Sequence, residues 1–62
     1  MDFGNRLKTL RIKKKLTQQQ LADLLGLTKS VISAYENGLR YPAYDVLIKI
    51  ARIFKVSTDF LL

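Results

Sequence analysis

The 62-residue chain has no cysteine, no histidine and no tryptophan, and only one proline and three glycines. Without cysteine there is no disulfide framework and no thiolate nucleophile; without cysteine and histidine it lacks the two residue types that dominate zinc sites. Neither a metal centre nor the commonest acid–base chemistry is expected, and nothing calls for a cofactor. The scarcity of proline and glycine excludes fibrous repeats and low-complexity disorder, and a hydrophobic fraction of 48% is that of a chain that folds. Long apolar runs are missing as well. Val46-Leu47-Ile48 is broken by charges within a few residues, far short of the roughly 20 apolar residues that span a bilayer. No membrane or targeting segment is expected, which together with the absent cysteine fits a cytoplasmic protein. At this length residues 1–62 form one domain, with about 60% of the unfolded surface buried on folding.

Acidic residues are also few: five against eleven lysines and arginines, a net charge of +6. The imbalance is one-sided. Residues 1–31 hold seven bases against Asp2 and Asp23, a net of +5, whereas the other half holds four against three. Such a distribution is the electrostatic footprint of a nucleic-acid-binding domain, the alternative being a solvated basic face with no partner.

Five helices follow from periodicity and punctuation, with no strand signal. Phe3, Leu7 and Leu10 recur at helical spacing, so Asp2 to Lys14 reads as an amphipathic helix with its bases outward and Asp2 as N-cap. Thr17 and Gln20 have the spacing of a capping box and Leu16 and Leu21 that of a hydrophobic staple, which starts a second helix at Gln18. Gly26 ends it, Leu27 supplies the usual apolar contact, and Thr28 caps a third helix, Lys29 to Asn37, with Ile32 and Tyr35 inward and Gly38 as its stop. Two helices about three residues apart must cross steeply, the geometry of a helix-turn-helix. Pro42 keeps Tyr41 out of the helical region. Leu47, Ile50, Ala51 and Phe54 define a fourth helix from about Tyr44, and Ser57 caps a last turn.

The run Arg6-Leu7, Leu10-Arg11, Leu16-Thr17-Gln18, Leu21-Ala22, Gly26-Leu27-Thr28, Ile32-Ser33, Tyr35-Glu36, Gly38, Pro42, Leu47, Ile50-Ala51 and Val56-Ser57-Thr58-Asp59 resembles the phage repressor and Cro-like (XRE-type) helix-turn-helix family in register over nearly the whole chain. The resemblance implies an all-α, compact five-helix, lambda-repressor-like domain whose helices 2 and 3 form the helix-turn-helix and whose third helix enters the DNA major groove. It also implies that relatives often continue past Leu62 into a further segment, as when this domain stands at the N-terminus of a longer regulator.

The resemblance carries specific roles. Gln18 stands where the family uses a glutamine on a DNA phosphate, and a helix N-terminus already favours an anion; Thr28, Asn37 and Arg40 are the other implied phosphate contacts, with a solvated loop charge as the alternative for Arg40. Lys29, Ser30, Val31, Ser33 and Ala34 are the implied base-contacting set: lysine can donate to guanine, serine to any base, and Val31 or Ala34 can touch a thymine methyl. Simple solvent exposure is the alternative for Ser30 and Ser33, and Ser33 can instead bond back to a helix carbonyl. Arg11 and Glu36 occupy the positions of a structural ion pair. Two features depart from the family pattern: Ala43 is a poor cap where serine or aspartate is common, and Leu24, Leu39, Tyr41 and Tyr44 are apolar or aromatic where polar residues are frequent.

Phe60, Leu61 and Leu62 form an apolar chain end. Consecutive helical residues point about 100° apart, so burying all three in one small domain is hard, and a two-fold dimer contact is expected at or near them, the alternative being that Phe60 and Leu61 serve the core alone. The function expected is a sequence-specific regulator of transcription, a repressor, that binds double-stranded DNA as a homodimer on an inverted repeat, with no small-molecule ligand evident. The competing class is a protein-interaction module, an antitoxin or adaptor. An enzyme is not expected, because serines, lysines and scattered carboxylates on outer helix faces do not converge on one site.

Overall fold

Helices begin where a side chain can satisfy free backbone donors. The computed structural model describes residues 2–61 and holds five helices among them: α1 (Phe3–Lys13), α2 (Gln18–Leu25), α3 (Lys29–Glu36), α4 (Tyr44–Phe54) and α5 (Thr58–Leu61). Asp2 accepts from the Gly4 N–H at 3.0 Å, Thr28 from Val31 at 3.3 Å and Ser57 from Phe60 at 3.0 Å. At α2 the capping box is complete: Thr17 Oγ1 accepts from the Gln20 N–H at 3.0 Å while Gln20 Oε1 accepts from the Thr17 N–H at 2.8 Å. Only α4 of these starts without a side-chain bond, behind Ala43.

The first four helices end in one way. A residue in the left-handed region is followed by an apolar residue whose N–H reaches back five positions, the Schellman arrangement. The pairs are Lys15 and Leu16 (φ 58, Leu16 N–H to Arg11 C=O 3.0 Å), Gly26 and Leu27 (φ 70, to Ala22 2.8 Å), Gly38 and Leu39 (φ 75, to Ala34 2.9 Å), and Lys55 and Val56 (φ 56, to Ala51 3.0 Å). Glycine takes this conformation freely, whereas Lys15 and Lys55 accept a cost of about 1–2 kcal/mol to close the helix. The third helix stops at Glu36, with Asn37 as its cap, one residue before the expected end.

Each helix buries one stripe. Phe3 and Leu7 of α1, Leu21, Ala22 and Leu25 of α2, Ile32 and Tyr35 of α3, and Leu47, Ile50, Ala51 and Phe54 of α4 form a single core, with Leu10, Leu16, Leu27 and Val56 packed on its margin. Leu61 of α5 is fully buried in this core. The expected place of Leu61 in a dimer contact is therefore corrected: its side chain closes the domain that carries it and offers no surface to a second copy. Among the described residues no helix is long and apolar enough to cross a membrane.

Candidate nucleic-acid interface

The α2–α3 unit is fixed by a buried cluster of side chains. Arg11 of α1 donates from Nε to Glu36 Oε2 at 2.7 Å, from Nη2 to Glu36 Oε1 at 3.2 Å and from Nη1 to the Leu16 carbonyl at 2.8 Å. Gln18, the first residue of α2, donates from Nε2 to the same Glu36 Oε1 at 3.1 Å. The Arg11 and Glu36 side chains are 12% and 3% exposed. A carboxylate taken so far out of water is stable only if its charge is matched and its lone pairs are filled. Three donors from two other helices do both, so α1, α2 and the end of α3 meet at a single carboxylate.

With Ile32, Tyr35 and Glu36 turned inward, the helical period leaves two rows of α3 facing out: Lys29, Ser33 and Asn37 at i, i+4 and i+8, and Ser30 with Ala34. Lys29 and Ser30, at the N-terminal end, are exposed, while Ser33 and Ala34 are half-buried. Val31 is half-buried against the core margin, which leaves part of its side chain for an outside contact. The Ser33 hydroxyl accepts from Asn37 Nδ2 at 3.2 Å, so it is engaged with the end of its own helix. Thr28 is exposed and its oxygen caps α3, which leaves its O–H free to donate outward. Half-buried Gln18 gives one amide hydrogen to Glu36 and keeps the other. Arg40 is exposed in the loop beyond Gly38, next to Leu39 and Tyr41, which are 77% and 69% exposed.

The C-terminal trio does not stay together. Leu61 is in the core, Phe60 is 46% exposed, and Leu62 lies outside the described residues. Arg6, expected among the outward bases of α1, is half-buried: its Nη1 donates to the Phe60 carbonyl and its guanidinium lies 5.2 Å from the Phe60 ring centre. Helical periodicity gives no signal for this pairing, since the two residues are far apart in sequence. Gly4 was also not singled out in the sequence, yet it is buried in α1 against the end of α3. Among the described residues no three acidic groups gather as a metal site requires.

The helix-turn-helix family matches residues 7–61. Over 60 residues, 97% of the chain, the sequence is 52% identical to YqaE, an uncharacterized HTH-type transcriptional regulator of Bacillus subtilis (strain 168), and covers 52% of that protein. The chain thus spans about half the length of the curated relatives it matches. Among solved structures, the P22 c2 repressor in complex with a synthetic operator superposes with a TM-score of 0.94 at 27% identity, over 100% of this chain and 94% of that one. SinR, a master regulator of biofilm formation, in complex with DNA gives 0.85 at 32% identity over 95% of each. YqaE is thus named as a regulator of transcription, the P22 c2 protein as a repressor and SinR as a master regulator. With the family matched over residues 7–61 and the fold superposing on a phage repressor along its whole length, the chain belongs to the phage repressor and Cro-like (XRE-type) helix-turn-helix family.

Proposed function

We propose that residues 1–62 are the DNA-binding domain of a transcriptional repressor that reads double-stranded DNA through α3 in the major groove, as a homodimer on an inverted repeat. The observation that carries this reading is the pairing of exposed Lys29 and Ser30 at the N-terminal end of α3 with a far end anchored by Glu36, Arg11 and Gln18. A helix presented so rigidly can hold donors at base edges. Ser33, Ala34 and the exposed part of Val31 extend the base-facing surface. Gln18, Thr28, Asn37 and Arg40 flank it and contact phosphates, and the net charge of +6 supports their attraction to the backbone. Phe60 is the described residue of the C-terminal trio that serves the two-fold contact, with half-sites about 34 Å apart.

Exposed Leu39, Tyr41 and Tyr44 favour a second reading, a module that docks a protein partner. Binding-site selection on random duplexes, with affinities measured from about 50 to about 200 mM salt, separates the two, because each neutralised phosphate adds about 0.9 to the log–log slope. The expected result is an inverted-repeat site and a fall in affinity of orders of magnitude. Lys29→Ala and Ser30→Ala relax base preference at one position each, by about 1–3 kcal/mol, while Gln18→Ala weakens all duplexes together. A flat salt dependence, or no selected site, removes DNA as the ligand. A lone half-site occupied by one molecule removes the dimer.

A further inference from the structure

The first helix meets the recognition helix along Gly4, Leu7 and Arg11, which share one face at i, i+3 and i+7. Arg11 holds the Glu36 carboxylate. Gly4 does something different: a Cβ there would lie 2.5 Å from the Tyr35 carbonyl oxygen and 2.7 Å from that of Glu36. These are backbone atoms, and the Tyr35 carbonyl already accepts from the Gly38 N–H at 3.2 Å, so neither can swing aside as a side-chain tip would. Beside this contact the Phe3 ring meets the Tyr35 ring edge-on, at 6.1 Å and 75°. The backbone of α1 therefore rests directly on the backbone of α3 at its last turn. Glycine in a helix is about 1 kcal/mol less favourable than alanine, so local helix preference runs against the residue found there.

We propose that Gly4 is a positioning residue for DNA recognition: the missing side chain lets α1 act as a stop that sets how α3 is presented. The proposal rests on the DNA-binding reading above. Ordinary contact distances for a Cβ begin at 3.4 Å, so any side chain at position 4 must part the two helices by about 1 Å. Base-edge hydrogen bonds hold only over about 2.7–3.2 Å, so a shift of that size breaks those of Lys29 and Ser30. Phosphate contacts are less exacting, because the backbone presents the same charge at every step and its attraction acts beyond hydrogen-bond range. A side chain at position 4 thus lowers the preference for the specific site and leaves non-specific binding in place. A general loss of stability lowers both in proportion.

The test uses one library of the full chain with all twenty residues at position 4, sorted twice, once for protease resistance and once for a selected operator duplex against excess random duplex. Ile50→Val, a core change in α4 away from the α1–α3 contact, serves as the destabilised control. Alanine and serine at position 4 should survive the first sort and fall at least tenfold behind glycine in the second. In direct titration Gly4→Ala should bind random duplex within about twofold of the parent, and Ile50→Val should keep the parent's ratio of operator to random binding. Equal enrichment of alanine and glycine in both sorts overturns the proposal. So does survival of glycine alone in the first sort, which makes position 4 a requirement of folding. Failure of the DNA-binding reading is seen separately, as failure of the parent chain to hold any duplex.

Discussion

The connectors on either side of α3 begin identically and finish differently. After α2, Gly26 turns the chain, Leu27 bonds back to Ala22 and folds onto the core margin, and Thr28 caps the next helix. After α3, Gly38 turns the chain and Leu39 bonds back to Ala34 in the same way, but Leu39 is 77% exposed and the next helix starts behind Ala43 with no side-chain cap. The same backbone motif therefore yields a three-residue joint whose leucine packs on the core and whose threonine caps the next helix, and a longer one whose leucine stays in water and whose last residue caps nothing. The lesson is about division of labour. The relation of α2 to α3 is settled within the domain, whereas the loop from Asn37 to Ala43 leaves Leu39, Arg40 and most of Tyr41 in water, with the Asn37 amide on Ser33 and the Tyr41 ring tilted against Phe3.

The largest way to break this comparison is to undo the anchor that makes the first joint rigid. Glu36→Gln keeps the shape but leaves the Arg11 guanidinium, 12% exposed, without its counter-charge. Removing one partner of a buried pair costs about 3–5 kcal/mol, against a total of roughly 3–9 kcal/mol for a chain of this length. Urea denaturation should show between about a third and all of the stability gone. A loss below about 1 kcal/mol would place the pair with exposed ion pairs and leave the α2–α3 joint to its caps alone.

The next effect is smaller and compares the two leucines that hold the same position in the same motif. Leu27→Ala removes a half-buried side chain packed on the core and should cost about 1–2 kcal/mol. Leu39→Ala removes one that is mostly in water and should change stability by less than about 0.5 kcal/mol. Equal losses in the two urea curves would mean that Leu39 is covered in solution.

These contrasts also mark what a sequence can tell. Helix starts were legible because Asp2, Thr17, Thr28 and Ser57 announce a cap through chemistry that acts within three residues. Two of the ends were legible from Gly26 and Gly38; those at Lys15 and Lys55 were not, because a lysine in the left-handed region looks like any other lysine. The α3 face followed from periodicity and the resemblance. Leu61, which lies in the core, could only be left between core and dimer contact, because an apolar residue at a chain end gives no sign of whether its own core or a neighbour will cover it. Gly4 and the Arg6–Phe60 pair were invisible for a stronger reason: their meaning comes from backbone and ring positions brought together by tertiary packing, which no local pattern encodes.

The smallest prediction sharpens the comparison by exchanging the caps. Thr28→Ala deletes the oxygen that accepts from the Val31 N–H, and Ala43→Ser adds one where α4 has none. The backbone at both positions is already extended, with φ −96 and ψ 158 at Thr28 and φ −64 and ψ 162 at Ala43. A serine at position 43 therefore needs no rearrangement to reach the Val46 N–H three residues on. Cap exchanges of this kind are worth about 0.5–1 kcal/mol, so the first variant should lose that much and the second gain it. The urea midpoints should move in opposite directions with unchanged slopes, since neither change alters the surface exposed on unfolding. If Ala43→Ser brings no gain, the first turn of α4 has its free N–H groups satisfied by water as well as by a hydroxyl. The open state of that joint would then carry no energetic penalty for the domain, and the difference between the two connectors would rest on Leu27 and Glu36 alone.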